Sequence, residues 1–169
     1  MKATGVVRRV DDLGRIVIPK EIRRTMRIRE GEPMEIFIDQ AGSVIFKKYS
    51  PMGELSGIAG QMADALAREA ERPCVIFDRD GVIASSGIKA DGRGISDKAE
   101  RVMEGRRLYQ GDAVELWDGG PQADVIAPVI AGGDLSGCVA LVTAAGKGRE
   151  DDSRLAKMTA SFMAKQMES

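Results

Sequence analysis

The residues best suited to chemistry in this sequence are its arginines. Arg8, Arg15, Arg23 and Arg24, together with Lys2, Arg9, Lys20, Arg27 and Arg29, set nine basic side chains against three acids in the first 29 residues, a net +6. The remaining residues carry 16 basic and 23 acidic side chains, so the whole-chain charge of −1 conceals a basic end on an acidic body. A guanidinium is a planar fork that can grip a phosphate or a guanine edge with two hydrogen bonds. Cations crowded together repel one another and add nothing to stability, so the cluster points to an anionic partner. Nucleic acid fits better than a membrane surface, because no Trp, Phe or Leu stands among the basic residues of 19–29 to enter a bilayer.

Other chemistries are poorer. The sequence has no histidine, which removes imidazole acid–base catalysis and the usual zinc sites. Cys74 and Cys138 stand inside apolar runs and read as small buried hydrophobes, with no metal-type partner and no disulfide framework. No metal and no cofactor are expected. Val75-Ile76-Phe77-Asp78-Arg79-Asp80-Gly81 resembles the first motif of haloacid-dehalogenase-type phosphatases, in which the first Asp is the nucleophile. Leu141-Val142-Thr143, Lys147 and Asp151-Asp152 would then complete a magnesium-dependent site. Each piece has a simpler reading: Asp78–Gly81 as a hairpin turn, and Asp151-Asp152 as acids at a helix N-terminus. The phosphatase stands as the alternative, and the chain is expected not to be an enzyme. The segment Met1–Gly5 has no long apolar stretch, and no apolar run approaches the roughly 18 residues of a membrane span. The expectation is a reduced, cytoplasmic protein without membrane contact.

The elements that must position the arginines follow from local pattern. Val6–Val10 and Arg15–Ile18 are β-branched runs joined by Asp11-Asp12-Leu13-Gly14, which predicts a strand pair bringing Arg8 and Arg15 to one surface. Pro19 opens a short helix and Gly31 suits its stop. On a helical wheel with Ile22 at 0°, Met26 falls near 40°, while Lys20, Arg23, Arg24 and Arg27 fall at about 100–200°, opposite the two apolar anchors. Met34–Asp39 and Ser43–Tyr49 form a second strand pair. About 50 residues make a thin core, yet Ile16, Ile18, Ile36, Phe37, Ile38, Val44, Ile45 and Phe46 are available to fill one, so dimerisation is expected.

Ser50-Pro51 marks the boundary: domains 1–50 and 54–169. Leu55, Ile58, Ala59, Met62 and Leu66 form one helical stripe. Strands are expected at 74–77, 82–84, 113–116, 125–130 and 138–143, with a helix near 96–104 and a final helix over 151–167. The final helix carries two stripes, Leu155, Met158 and Phe162 beside Ala156, Ala160, Met163 and Met167. One face can serve the chain's own core and the other a partner helix. Trp117 lines either a pocket or a rim. The second part is therefore α+β, a five-stranded antiparallel sheet flanked by helices.

The run Lys2-Ala3-Thr4-Gly5-Val6-Val7-Arg8-Arg9-Val10-Asp11-Asp12-Leu13-Gly14-Arg15-Ile16-Val17-Ile18-Pro19, with Glu21–Thr25 and Lys47-Lys48-Tyr49, resembles the swapped-hairpin DNA-binding domain of the AbrB transition-state regulators. The resemblance implies two chains interleaving their hairpins into one domain that binds double-stranded DNA. It places most of the contact on Arg8, Arg15, Arg23 and Arg24, with Lys2, Arg9, Lys20 and Arg27 secondary. The whole chain is similar to sporulation regulators in which this domain precedes a GAF-like domain. That implies a homotetramer built through the GAF-like domains, and a nucleoid-associated transcription regulator. The glycine-bearing stretch 91–123 is where a GAF fold would build pocket walls, and the sequence does not choose between a sensing domain for an unknown small molecule and a structural one. The same swapped-hairpin domain also occurs in antitoxins, usually with a short disordered tail unlike the long second half here.

Overall fold

In the computed structural model, which describes residues 2–144 and 149–169, the chain divides into unit 1, residues 1–49, and unit 2, residues 50–169. Unit 1 holds helix α1 (Lys20–Thr25) and strands β1 (Met34–Ile38) and β2 (Val44–Lys48). The two strands pair antiparallel with Ile36 opposite Phe46, around a turn at Asp39–Gly42. Pro19 occupies the position before α1, where its missing N–H costs nothing.

Two expectations for unit 1 are corrected. Among the described residues, 6–10 and 15–18 form no strand and no ladder; one bond, Asp11 N–H to the Arg15 carbonyl at 2.9 Å, closes the turn between them. Val6, Val7, Val10, Leu13, Ile16 and Val17 stay exposed, so β-branched sequence is present here without a strand partner among the described residues. The helix also stops earlier than Gly31. Arg27 takes φ 54°, its N–H bonds the Arg24 carbonyl and the Ile28 N–H bonds the Arg23 carbonyl, the two bonds of a Schellman stop. Arg27 therefore leaves the helical wheel, and Met26 is exposed rather than an anchor. Among the described residues of unit 1, none is buried.

Unit 2 places α2 (Pro51–Glu54), α3 (Ser56–Ala70), β3 (Cys74–Asp78), β4 (Val82–Ser86), α4 (Asp97–Glu104), β5 (Tyr109–Glu115), β6 (Gln122–Ala131), β7 (Asp134–Val142) and α5 (Asp152–Met167) along the chain. The five strands form an antiparallel sheet in the order β4-β3-β7-β6-β5. Helices α3 and α5 cover one face, and their alanines (Ala59, Ala63, Ala156 and Ala160) let the backbones approach the sheet closely around Met52, Leu66, Ile76 and Met163. Helix α4 and the loops beside it cover the other face around Phe77, Met103, Leu116 and Trp117. Both faces of the sheet are thus buried, which is why β3, β6 and β7 are apolar along most of their length.

Candidate nucleic-acid interface

The first turn of unit 1 is held by one side chain. Asp11 Oδ1 accepts the Leu13 N–H at 2.9 Å and the Arg15 N–H at 2.8 Å, while Asp11 Oδ2 accepts Arg15 Nε at 2.8 Å. Gly14 takes φ 75°, the left-handed conformation that this turn requires and that glycine adopts without strain. The Arg15 amide, and after it the Arg15 guanidinium, hold the Asp11 carboxyl below its ordinary range.

On α1, Arg23 turns back along the helix and its Nε donates to the Ile18 carbonyl at 3.1 Å. Arg15 and Arg23 are thus both tethered by Nε, a geometry that leaves the Nη edge of the fork to face outward. Arg24 sits one residue further along α1, exposed, and among the described residues no hydrogen bond or ion pair engages its side chain. Arg8 is exposed before the turn, and its Nη1 donates to the neighbouring Val7 carbonyl at 3.2 Å. Lys2, Arg9 and Lys20 are exposed as well. Among the described residues no ladder pairs 6–10 with 15–18 to bring Arg8 and Arg15 onto one surface. Below the helix, Glu32 takes the Arg29 N–H and both the Arg29 and Lys48 side chains, and Lys48 Nζ donates to the Arg27 carbonyl at 2.9 Å. This knot ties the end of α1 to β2 and removes Arg29 and Lys48 from the set of outward cations.

In unit 2, Asp78 is a turn residue. Its Oδ1 accepts the Asp80 and Gly81 amides at 2.8 and 2.9 Å, and its Oδ2 accepts Ser50 Oγ at 2.9 Å. Ser50 Oγ in turn accepts the Gly53 N–H at 3.0 Å and caps α2. Both carboxylate oxygens that a phosphatase would need for attack and for magnesium are engaged in structure. Asp152 is buried at 1% exposure against Arg72, so it does not form a metal pair with exposed Asp151; Lys147 lies outside the described residues. Among the described residues no cluster could hold a metal ion. Cys74 and Cys138 face opposite layers of the sheet, and burial pushes both thiols up to about 12. Trp117 lines neither rim nor cleft; it is buried against Phe77 with ring centroids 6.5 Å apart. On α5 the two stripes separate: Ala156, Ala160 and Met163 are buried, while Met158 and Phe162 are 63% and 41% exposed.

Sequence reasoning missed the strongest polar feature. Arg72, 6% exposed, donates Nε to the Val142 carbonyl at 3.0 Å, Nη1 to Asp152 at 2.9 Å, and Nη2 to the Leu141 carbonyl at 3.2 Å and to Asp124. Burial pulls the guanidinium down, and the two carboxylates more than reverse it. The available signal was Asp124, a lone charge inside an otherwise apolar strand.

The chain thus carries an arginine-bearing turn and helix in one unit and an antiparallel sheet covered on both faces in the other. The first unit matches the family model "Antidote-toxin recognition MazE, bacterial antitoxin" over residues 7–53, and the second matches "Stage V sporulation protein T C-terminal, transcription factor" over residues 54–168. The transition state regulatory protein AbrB of Bacillus subtilis is 47% identical over 64 residues, 38% of this chain and 65% of that protein. Stage V sporulation protein T of Bacillus subtilis is 46% identical over 177 aligned positions, 99% of each chain. The chain belongs to the stage V sporulation protein T family of transcription factors. The GAF domain of an Acinetobacter phosphoenolpyruvate-protein phosphotransferase, 11% identical with a TM-score of 0.52 over 72% of this chain and 84% of that one, shares the fold. A full-length likeness to a transcription factor supports a transcription regulator in preference to the phosphatase and antitoxin readings.

Proposed function

We propose that two copies of the chain interleave the uncovered hairpins of unit 1 into one domain that binds duplex DNA, with Arg8, Arg15, Arg23 and Arg24 of each copy carrying the contacts. Lys2, Arg9, Lys20 and Arg27 add to the positive field around them. The observation that carries the reading is that unit 1, the basic part of the chain, leaves its β-branched hairpin segments unpaired and its apolar residues uncovered. Apolar surface of that extent in so small a unit calls for a second chain. Residues 1–50 are assigned to DNA binding and 54–169 to assembly. Two dimers join into a tetramer through the exposed Met158 and Phe162 stripe of α5, and the protein works on the nucleoid. Its action is binding without catalysis: arginines displace counterions from phosphates and two-fold symmetry sets the footprint.

The test is anisotropy of a labelled duplex titrated with protein across a salt series. Eight arginine–phosphate contacts, four from each of two chains, give a slope of roughly −7 in log K against log salt. Arg24→Ala removes two of them and flattens the slope by about 2. A folded, oligomeric protein that leaves the duplex unbound, or an Arg24→Ala slope equal to the unmodified one, overturns the reading.

A further inference from the structure

Unit 1 builds the same turn twice. At the first, Asp11 N–H donates to the Arg15 carbonyl at 2.9 Å and Gly14 N–H to the Asp11 carbonyl at 3.1 Å. At the second, Asp39 N–H donates to the Ser43 carbonyl and Gly42 N–H to the Asp39 carbonyl, both at 3.1 Å. In each, one carboxylate oxygen accepts the amides two and four residues on: Leu13 and Arg15 for Asp11, Ala41 and Ser43 for Asp39. The glycines take φ 75° and 84°. The second turn forms with a serine where the first has Arg15, and the Ser43 side chain there hydrogen-bonds Asp39. A guanidinium at that position is therefore not needed to make the turn. An exposed ion pair of this kind also adds little to stability. Moreover, an acid beside a DNA-contacting arginine repels phosphate, so its placement needs a reason other than charge.

We infer that Asp11 is a positioning residue for DNA binding: its Oδ2 holds the Arg15 guanidinium by Nε so that the Nη edge is presented ready-oriented to a phosphate or guanine. Among the described residues no hydrogen bond engages Arg15 Nη1 or Nη2. A long side chain fixed before binding does not lose its rotamer freedom at the moment of contact, and a fork held by one edge keeps the geometry that two-pronged recognition needs. The inference rests on the proposed role of Arg15 and is tested so that the two can fail separately.

The full-length protein is titrated against a labelled duplex of mixed sequence at fixed salt. Asp11→Asn keeps an oxygen for the two turn amides and loses the acceptor for Arg15 Nε. Asp12→Asn removes the same charge from the same turn without touching Arg15. Charge alone makes both variants bind as tightly as the unmodified protein or tighter. Positioning makes Asp11→Asn weaker than Asp12→Asn by about three- to tenfold for each arginine released, the cost of ordering one long side chain. In an Arg15→Ala background the two variants become equal. If Asp11→Asn follows Asp12→Asn while Arg15→Ala still weakens binding, the positioning role is overturned and the DNA-contact role of Arg15 stands. If Arg15→Ala binds like the unmodified protein, both fall. Circular dichroism and melting check that Asp11→Asn folds. Should it not, Asp11→Ser, whose hydroxyl can still accept the turn amides but is too short to hold Arg15 Nε, is compared with Asp12→Ser: weaker binding confined to Asp11→Ser and lost in the Arg15→Ala background supports the inference, and equal binding overturns it.

Discussion

The clearest consequence of the fold lies at Arg72. Replacing it with Met keeps an unbranched apolar stem and removes every donor. Asp152, 1% exposed, is then left with the Arg149 N–H at 2.9 Å as its remaining partner named here, and the Val142 and Leu141 carbonyls lose their side-chain donors. Asp124 is 30% exposed at its side chain and can rehydrate, so most of the cost sits on Asp152. Removing one partner of a buried ion pair costs about 3–5 kcal/mol, because the other charge stays buried without compensation. For a unit of this size roughly 4 °C of melting temperature goes with each kcal/mol, so Arg72→Met lowers the unit 2 transition by about 12–20 °C. The assay is thermal or guanidinium unfolding followed by fluorescence, since the sequence has one tryptophan, Trp117, and it is buried in the α4-side layer of this unit. Adding Asp152→Asn to Arg72→Met removes the stranded charge and returns a large part of the loss; Asp124→Asn alone costs about 1 kcal/mol or less. A loss below about 1 kcal/mol in Arg72→Met, or no recovery in the double variant, refutes the view that the pair is a buried, committed contact.

Gly137 lies on β7 opposite Asp78, where a methyl group would meet the Phe77 carbonyl and the Met52 sulfur, so Gly137→Ala destabilises unit 2 by at least about 2 kcal/mol in the same unfolding assay. Cys74 and Cys138 resist thiol reagents in the native protein and react at once in denaturant. Because their folded values, about 12, lie above those of the open chain, their contribution to stability is complete below about pH 9 and is lost as pH rises toward 12, which alkaline melting curves read. On the proposed assembly through α5, Met158→Lys with Phe162→Lys lowers the mass measured by light scattering from that of four chains to that of two, while each chain, in which both side chains are exposed, keeps its fold by circular dichroism.

The parts of the fold readable from the sequence are those decided locally or by period. The α3 stripe, the Asp-Gly turn between β3 and β4, the Pro19 start of α1 and the two-faced α5 all rest on neighbours within a few residues. Features that depend on distant partners were harder to read. Arg72 meets Asp124 and Asp152 across 52 and 80 positions, and no local pattern announces such a pair beyond the odd charge in β6. The stop of α1 also misled, because Gly31 is the better left-handed residue on propensity, whereas the chain puts Arg27 there and the Lys48 ammonium binds its carbonyl. For the 6–10 and 15–18 segments the β-branched composition is real, but a ladder needs a second strand, and none pairs with them among the described residues. The duplicated Asp-x-x-Gly turn was present in the letters at Asp11 and Asp39; only the fold shows that in one copy the side chain bonded to the aspartate is an arginine.

The two units differ in what keeps them ordered, and that bears on how the proposed DNA-binding domain forms. Unit 2 buries two layers against its sheet and has a core of its own. Unit 1 has no buried residue among those described, both cysteines lie in unit 2, and no metal cluster stands among the described residues to substitute for a core. A segment of that size without such a staple depends on association for its stability. On the proposed reading, assembly through α5 brings copies of unit 1 to a high local concentration, which turns their pairing from a bimolecular event into a nearly intramolecular one. Contacts on α5 then support DNA binding without touching DNA. The acidic, well-packed part of the chain would thus set how firmly the basic, core-poor part is held together.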